Sequence, residues 1–385
     1  MNARFRPVVT RERVAGARLE VDLAAVTANA RLFADRAAGE LMAVVKADGF
    51  GLGAVDVAQA AIAGGATRLG VTSVEEALRL RDADLTVPVL SWLNPVDADW
   101  AAAGAAGVEV AVPSREHLTA VTAVARARRE PTRIHLHADC GMARDGAPVD
   151  RWWSLVTAAR RAEVRGEVRV VGLMGHLALA DAGPDDNGRA SFRRFVAVAR
   201  RAGLRPAVRH LAATSATLAD PASHFDLCRV GAGLVGIDPS RTTSLRGTAT
   251  WTAPVVLVRD VPTGTGVGYG HGTVTSGRTR LATLPVGYAD GVPRAALGRA
   301  QVQLLGRRCD VVGRVSMDQV VVDVGDLAVR PGDEAVLFGP GDAGEPVLRD
   351  WATWADTLEH EIVTGIGARV TRVTAGRRQA FGATA

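Results

Sequence analysis

Between residues 41 and 235 the chain alternates short apolar runs with amphipathic helical stretches about eight times. The runs lie at 41–47, 69–72, 87–93, 108–112, 133–138, 168–176, 208–212 and 228–235. Helical patterns fill the gaps at 54–63, 74–81, 97–105, 116–128, 150–162 and 191–202, with a short one after Ser215. Ser73 with Glu76, and Ser114 with His117, have N-cap and N3 spacing. A strand followed by a helix brings the next strand back parallel to the first. Eight such repeats predict a TIM-like (β/α)8 barrel; a doubly wound sheet is the alternative.

The pattern ends near residue 240, at Asp238-Pro239-Ser240. Beyond it come short strand patterns at 251–260, 278–286, 300–305, 308–312, 318–323, 334–338 and 368–374, with a helix around 348–362. Turn signals at 325–326, 331–333 and 339–342 punctuate them. The chain therefore reads as an α/β barrel domain over 1–243 and a mostly-β domain over 244–385. Ahead of the repeats, a polar arm leads to a strand at 17–23 and a helix to about residue 38.

Composition removes several functions. Charges of both signs are interspersed, as in Glu75-Glu76-Ala77-Leu78-Arg79-Leu80-Arg81-Asp82, and basic stretches lack interleaved aromatics. A net charge of +5 spread in this way does not describe a nucleic-acid surface. Cys140, Cys228 and Cys309 are odd in number and far apart. Neither a disulfide framework nor a zinc site is expected, and a reducing, cytoplasmic location fits. The sequence shows neither a secretion signal nor an apolar run long enough to span a membrane.

One residue type carries unusual information. Of 46 Lys and Arg residues, a single one, Lys46, is lysine. It follows the apolar run Leu41-Met42-Ala43-Val44-Val45 and precedes a Gly-rich turn, at the carboxyl end of a predicted barrel strand. Parallel-strand enzymes place their chemistry there. Arginine stays protonated, whereas a desolvated lysine becomes a nucleophile and condenses with aldehydes. The structural alternative is a lysine snorkelling at a strand end. The two tyrosines, Tyr269 in Gly268-Tyr269-Gly270-His271-Gly272 and Tyr288 in Gly287-Tyr288-Ala289-Asp290-Gly291, both lie in Gly-flanked segments of the second domain. A phenol there suits acid–base work if cations stabilise its anion; a hairpin tyrosine is the alternative.

Candidate cations end barrel strands. His176 closes one run, and Arg229 opens another that is otherwise apolar, so it needs a partner or a ligand. Gly231 and Ala232 just beyond it form a candidate anion cradle. Ser215, at a strand-to-helix junction, is a helix cap or a phosphate ligand. Arg144, in a Gly-containing loop, is either a carboxylate clamp or one surface arginine among many. Asp318 either caps a turn or bounds a site.

Taken together and in this order, these stretches resemble the alanine racemase family of fold-type III pyridoxal-phosphate enzymes. The matching segments are Val44-Val45-Lys46-Ala47-Asp48-Gly49, Asp139-x-Gly-Met142-x-Arg144-x-Gly, His176, Ser215, Arg229-Val230-Gly231, Tyr269, Tyr288-Ala289-Asp290-Gly291, Ser316-Met317-Asp318 and Arg369-Val370-Thr371-Arg372. The resemblance implies pyridoxal 5'-phosphate joined to Lys46, a homodimer with shared sites, and a small amino acid substrate. Lys46 and Tyr269 of the partner subunit would be the two bases, Lys46 for the D- and Tyr269 for the L-enantiomer. Arg229 would face the pyridine nitrogen and His176 the ring. Ser215, Gly231 and Ala232 would hold the phosphate. Arg144 and Met317 would orient the substrate carboxylate, and Tyr288 and Asp318 would line the entrance. The implied role is D-alanine supply for peptidoglycan.

Four positions depart from the family pattern. Phe50 and Leu52 stand where Tyr-Gly-His-Gly is usual, His137 where many members have a lysine, and Ala368 where some have a tyrosine. Racemisation of another amino acid such as serine, a fold-type III decarboxylase, and a non-catalytic cofactor- or inhibitor-binding homologue are the alternatives.

Overall fold

The computed structural model describes residues 16–179 and 183–375; the polar arm read at the N-terminus lies outside them. The chain divides into two compact units, one spanning Asp22–Thr248 and the other built from Ala249 onward together with the first strand, β1 (Arg18–Val21).

In the first unit β2 (Glu40–Val44), β3 (Arg68–Val71), β4 (Val89–Ser91), β5 (Glu109–Val112), β6 (Thr132–His137), β7 (Val168–Met174), β8 (Val208–His210) and β9 (Leu227–Val230) form a parallel sheet. Its order is β8-β7-β6-β5-β4-β3-β2-β9. The ends of that order approach through Asp226 N–H to Arg209 C=O and Arg229 N–H to Ala212 C=O, both 3.0 Å, so the sheet is a nearly closed barrel. The strands are buried on both faces, as parallel strands under helices must be. Ser73 and Ser114 cap their helices, accepting from Glu76 N–H at 3.2 Å and His117 N–H at 3.4 Å.

Differences from the expected elements have local causes. The helix expected from 191 begins at Asp186, because Asp185 caps it by accepting from Gly188 N–H at 2.8 Å. The run 228–235 is a strand only to Val230; a 3-10 turn, Ala232–Val235, completes it. Gly172 sits in the middle of β7 opposite His135, and a Cβ there would overlap the imidazole. His135 is fully buried with both ring nitrogens bonded and cannot move aside. Gly172→Ala is expected to destabilise the protein by about 1–3 kcal/mol. Calorimetry would read this as a lower Tm, and an unchanged Tm would show that the ring has room.

The second unit is a nine-stranded sheet of order β11-β14-β17-β16-β15-β18-β10-β1-β19. Its strands are β10 (Ala249–Pro254), β11 (Leu257–Val261), β14 (Thr279–Leu284), β15 (Gln301–Leu304), β16 (Arg307–Val312), β17 (Val320–Asp323), β18 (Glu334–Phe338) and β19 (Thr371–Thr374). All neighbours are antiparallel except β1 and β19. The run 251–260 divides at Pro254 into β10 and β11, and the helix around 348–362 divides into Leu348–Ala355 and Glu359–Thr364. A small hairpin, β12 (Gly266–Val267) with β13 (Thr273–Val274), carries Tyr269.

β1 corrects the expectation of a barrel domain running continuously over 1–243. The reason is visible in its residues. Leu19 and Val21 are buried while Arg18 and Glu20 are not, the period-two pattern of a sheet with one wet face. The barrel strands, apolar on both faces, are a different kind of surface. β1 instead pairs with β10 and β19 within the β unit.

Candidate active site

Lys46 lies just past β2, at the carboxyl end of the barrel strands. The four residues after it, Ala47, Asp48, Gly49 and Phe50, all have left-handed backbone, with φ of 52, 52, 63 and 62°. Such a turn costs roughly 1–2 kcal/mol per non-glycine residue, and strain of this kind concentrates at functional sites. Hydrogen bonds hold it. Glu76 accepts from Ala47 N–H at 2.7 Å and from Thr72 N–H at 2.8 Å, tying the turn to the end of β3. Gly49 N–H reaches Val45 C=O at 2.9 Å, and Asp48 accepts from Ala54 N–H at 2.9 Å. Burial lowers the Lys46 ammonium pKa; Arg144 adds to this, and Glu76 opposes it.

Arg229, in β9, is buried. Its Nη2 donates to Gly175 C=O at 2.7 Å, His176 Nδ1 at 3.2 Å and Leu211 C=O at 3.2 Å, and its Nη1 to His210 Nδ1 at 3.0 Å. Among the described residues no carboxylate pairs with it. Burial draws even this guanidinium down to about 10. His176 follows β7. Burial, and then the charges of Arg229, Arg144, His137 and Lys46, hold it down at about 3, so it is a neutral imidazole at neutral pH. These mutual influences gather Lys46, Arg144, His176 and Arg229 at one mouth of the barrel.

Ser215 is the second residue of the short helix Thr214–Ala219 and is buried, and among the described residues its hydroxyl takes no hydrogen-bond partner. Thr214 Oγ1 accepts from Gly233 N–H at 3.3 Å, which joins this helix start to the loop of Gly231 and Ala232. Phe50 lies under the same loop: a Cβ on Gly231 would come within 3.0 Å of its ring. Phe50 thus occupies, with an apolar edge, ground next to the proposed anion cradle. His137 is buried in β6, its Nδ1 3.4 Å from Asp145 Oδ2 but without a hydrogen-bonding geometry.

The remaining candidates lie in the β unit, described by itself. Tyr269, Tyr288, Met317 and Asp318 line, with Arg294, Arg314, Val315 and Ser316, a cleft of about 850 Å³. Tyr269 is 73% exposed and Met317 53%. A Cβ on Gly270 would stand 3.6 Å from the Arg314 guanidinium, so a cation backs the tyrosine turn from within its own unit. Gly287 permits the close passage of two loops, where Tyr288 N–H donates to Ser316 C=O and Ala289 N–H to Met317 C=O, both at 3.0 Å. Arg369 joins both sides, bonding Asp318 at 2.6 Å and Asp290 through two 2.9 Å contacts.

Sequence reasoning missed Glu76, His210, Glu109, His135 and Arg314. Glu109 and His135 left a signal: each is a charged or titratable residue in an otherwise buried barrel strand. All three cysteines are free and buried, and burial raises the Cys140 thiol to about 12. Cys309 is buried within β16, paired opposite Val302, which offers no support to a cysteine-dependent decarboxylase. Among the described residues there is no group of three metal-binding side chains, and no helix is long and apolar enough to cross a membrane.

A lysine with a lowered pKa and a buried, carboxylate-free arginine at the mouth of a parallel barrel, carried with a tyrosine-bearing β unit, define an enzyme of amine chemistry. Residues 21–239 match the family model "Alanine racemase, N-terminal domain", and residues 248–374 match "Alanine racemase, C-terminal domain". The chain belongs to the alanine racemase family. It is 45% identical to the alanine racemase of Thermobifida fusca over 94% of this chain and 98% of that one. Among solved structures it resembles the alanine racemase of D-cycloserine-producing Streptomyces lavendulae, with a TM-score of 0.92, 42% identity, and coverage of 95% and 98% of the two chains. It also resembles that of Bartonella henselae with covalently bound pyridoxal phosphate, with a TM-score of 0.84, 29% identity, and coverage of 94% and 100%.

Proposed function

We propose that this protein is a pyridoxal-phosphate-dependent racemase that interconverts L-alanine and D-alanine, with Lys46 and Tyr269 of the partner subunit as the two bases. The observation that carries the reading is Arg229. A buried guanidinium with no carboxylate partner calls for an acceptor that carries no proton, and a pyridine nitrogen is one. The Lys46 amine, its pKa lowered by burial and Arg144, suits an aldehyde partner. The residues therefore fit the cofactor.

When bound, pyridoxal phosphate supplies an electron-poor ring that acidifies the amino acid Cα–H. The rest is the work of the chain. Lys46 would hold the cofactor through its amine and, once the substrate amine has displaced it, would exchange a proton with Cα from one face, while Tyr269 of the second copy would do so from the other. Arg229, charged at neutral pH, would serve as the donor to the ring nitrogen and keep it unprotonated, which would discourage decarboxylation and transamination. His176, a neutral imidazole at neutral pH, would help to hold the ring. Ser215, with the N–H groups of Gly231 and Ala232, holds the phosphate. Arg144 and the Met317 N–H orient the substrate carboxylate, and Tyr288 and Asp318 bound the way in. The site is completed by a second copy of the chain. D-alanine for peptidoglycan, made in the cytoplasm, is the role this chemistry serves.

The test is to incubate the loaded protein with L-alanine in deuterium oxide and follow Cα exchange and optical rotation, then to repeat with L-serine. Exchange with inversion on alanine is expected. Cofactor binding without exchange or inversion on any small amino acid would overturn the reading, and a preference for serine would replace the substrate.

A further inference from the structure

Barrel interiors are ordinarily filled by layers of branched apolar side chains. Here Met42, Leu90, Ala111, Met174 and Leu227 form such a cluster, but a column of polar groups runs through the same unit. It starts at the amino-terminal end of β5. Glu109 is 1% exposed there, 2.8 Å from Arg133 Nε and 3.3 Å from Arg68 Nη1. Its Oε2 lies 2.9 Å from His135 Nε2; His135 Nδ1 lies 2.8 Å from His210 Nε2; and His210 Nδ1 lies 3.0 Å from Arg229 Nη1. Both imidazoles are fully buried.

The proton positions in this column follow from its ends. Arg229 can only donate, so His210 Nδ1 must be a lone pair. The His210 proton then sits on Nε2 and points at His135 Nδ1, which must also be a lone pair. The His135 proton sits on Nε2 and reaches the Glu109 carboxylate. One assignment satisfies every atom, with both imidazoles neutral. An imidazolium at His135 would force the His210 proton onto Nδ1, donor against donor at Arg229. Burial lowers both imidazoles, that of His210 strongly. Burial opposes ionisation of Glu109, but His135 and Arg133 outweigh it and hold the carboxyl at about 2.

We propose that Glu109 is a positioning residue for Arg229, acting across the barrel through His135 and His210, two neutral imidazoles that both carry their proton on Nε2. Its consequence for turnover rests on the racemase reading; the tautomer relay does not. Glu109→Met removes the acceptor. The buried His135 Nε2 proton then has no acceptor and faces the Arg68 Nη1 donor that Glu109 had bonded, although Arg68 keeps Glu40 at 2.7 Å and Arg133 turns to water. Moving the proton to Nδ1 relieves that conflict. That shift passes along the column and breaks the bond to Arg229. Glu109→Gln keeps a carbonyl for His135 while the half-exposed Arg133 turns to water.

The experiment is nitrogen NMR of the full, cofactor-free chain labelled with 15N-histidine at neutral pH, with kcat and KM of the loaded protein alongside. Expected are Nε2-protonated His135 and His210 in the wild type and in Glu109→Gln. In Glu109→Met the His135 proton moves to Nδ1, and kcat falls about tenfold with KM within about twofold. A wild-type His210 protonated on Nδ1 overturns the proposal. So does a folded Glu109→Met with wild-type tautomers and kcat, because that residue would then be only structural. If Glu109→Met does not fold, the wild-type and Glu109→Gln spectra decide. A wild type that binds cofactor but turns over no amino acid removes the racemase reading and leaves the relay to the spectra.

Discussion

Lys46→Arg is expected to abolish the visible absorption of the lysine–cofactor linkage and to lower racemisation by at least about a thousandfold. The substitution retains length and positive charge, so it separates charge from nucleophilicity. Lys46 is depressed in pKa by burial and Arg144, and the strained turn behind it is fixed by backbone bonds that do not involve its amine. The fold should therefore survive, with a thermal transition close to that of the wild type. Added methylamine should restore part of the activity of Lys46→Ala but not of Lys46→Arg, whose guanidinium fills the space. Persistence of the absorption in Lys46→Arg would mean that another amine holds the cofactor, and the site would have to be redrawn. This is the only lysine in the chain, so few alternatives exist.

Tyr269→Phe removes one oxygen and should divide the reaction. Racemisation in both directions is expected to fall by about 10²–10⁴-fold, since each passage uses both faces. Cα exchange in deuterium oxide should fall in the same way for L-alanine, whose proton belongs to the tyrosine. D-alanine should still lose its Cα hydrogen to Lys46 and regain deuterium with retention. Equal loss of exchange from both enantiomers would sink the two-base assignment. The same variant tests the shared site. Inactive Lys46→Ala and Tyr269→Phe proteins, mixed and re-equilibrated, should recover about a quarter of the wild-type sites: half the dimers are mixed, and one site in each mixed dimer is intact. If lysine and tyrosine acted from one chain, nothing would return. The exposure of Tyr269 on its own unit suits a residue that works on another copy.

Much of the candidate site was legible because its residues break local rules. A lone lysine in an arginine-rich chain, an arginine in an apolar strand, and tyrosines confined to glycine-flanked turns are each anomalous without any coordinates. The barrel strands were legible because burial on both faces requires continuous apolar runs. Other elements were hidden. The helix from Asp186 starts in Asp185-Asp186-Asn187-Gly188, which reads as a loop until the Asp185 cap is seen. The small β12–β13 hairpin is too short for any periodic signal. β1 was visible as a strand but not as a member of the second unit, because pairing partners more than 200 residues apart leave no local trace.

Thus the sequence by itself determined the repeat of strand and helix, the change to β structure, and the choice of Lys46 as a candidate, since each depends on side-chain type and spacing along a local stretch. Only the tertiary structure decided how Lys46 is held and what its neighbours do to it. The left-handed turn exists because Glu76, twenty-nine residues away from Ala47, accepts its N–H. The neutral state of His176 follows from burial and from cations contributed by separate loops and strands. The column from Glu109 to Arg229 depends on five barrel strands converging on one interior, with Gly172 leaving space for the His135 ring. Charge, desolvation and hydrogen-bond direction act through space, and the chain sets them only once it has closed on itself.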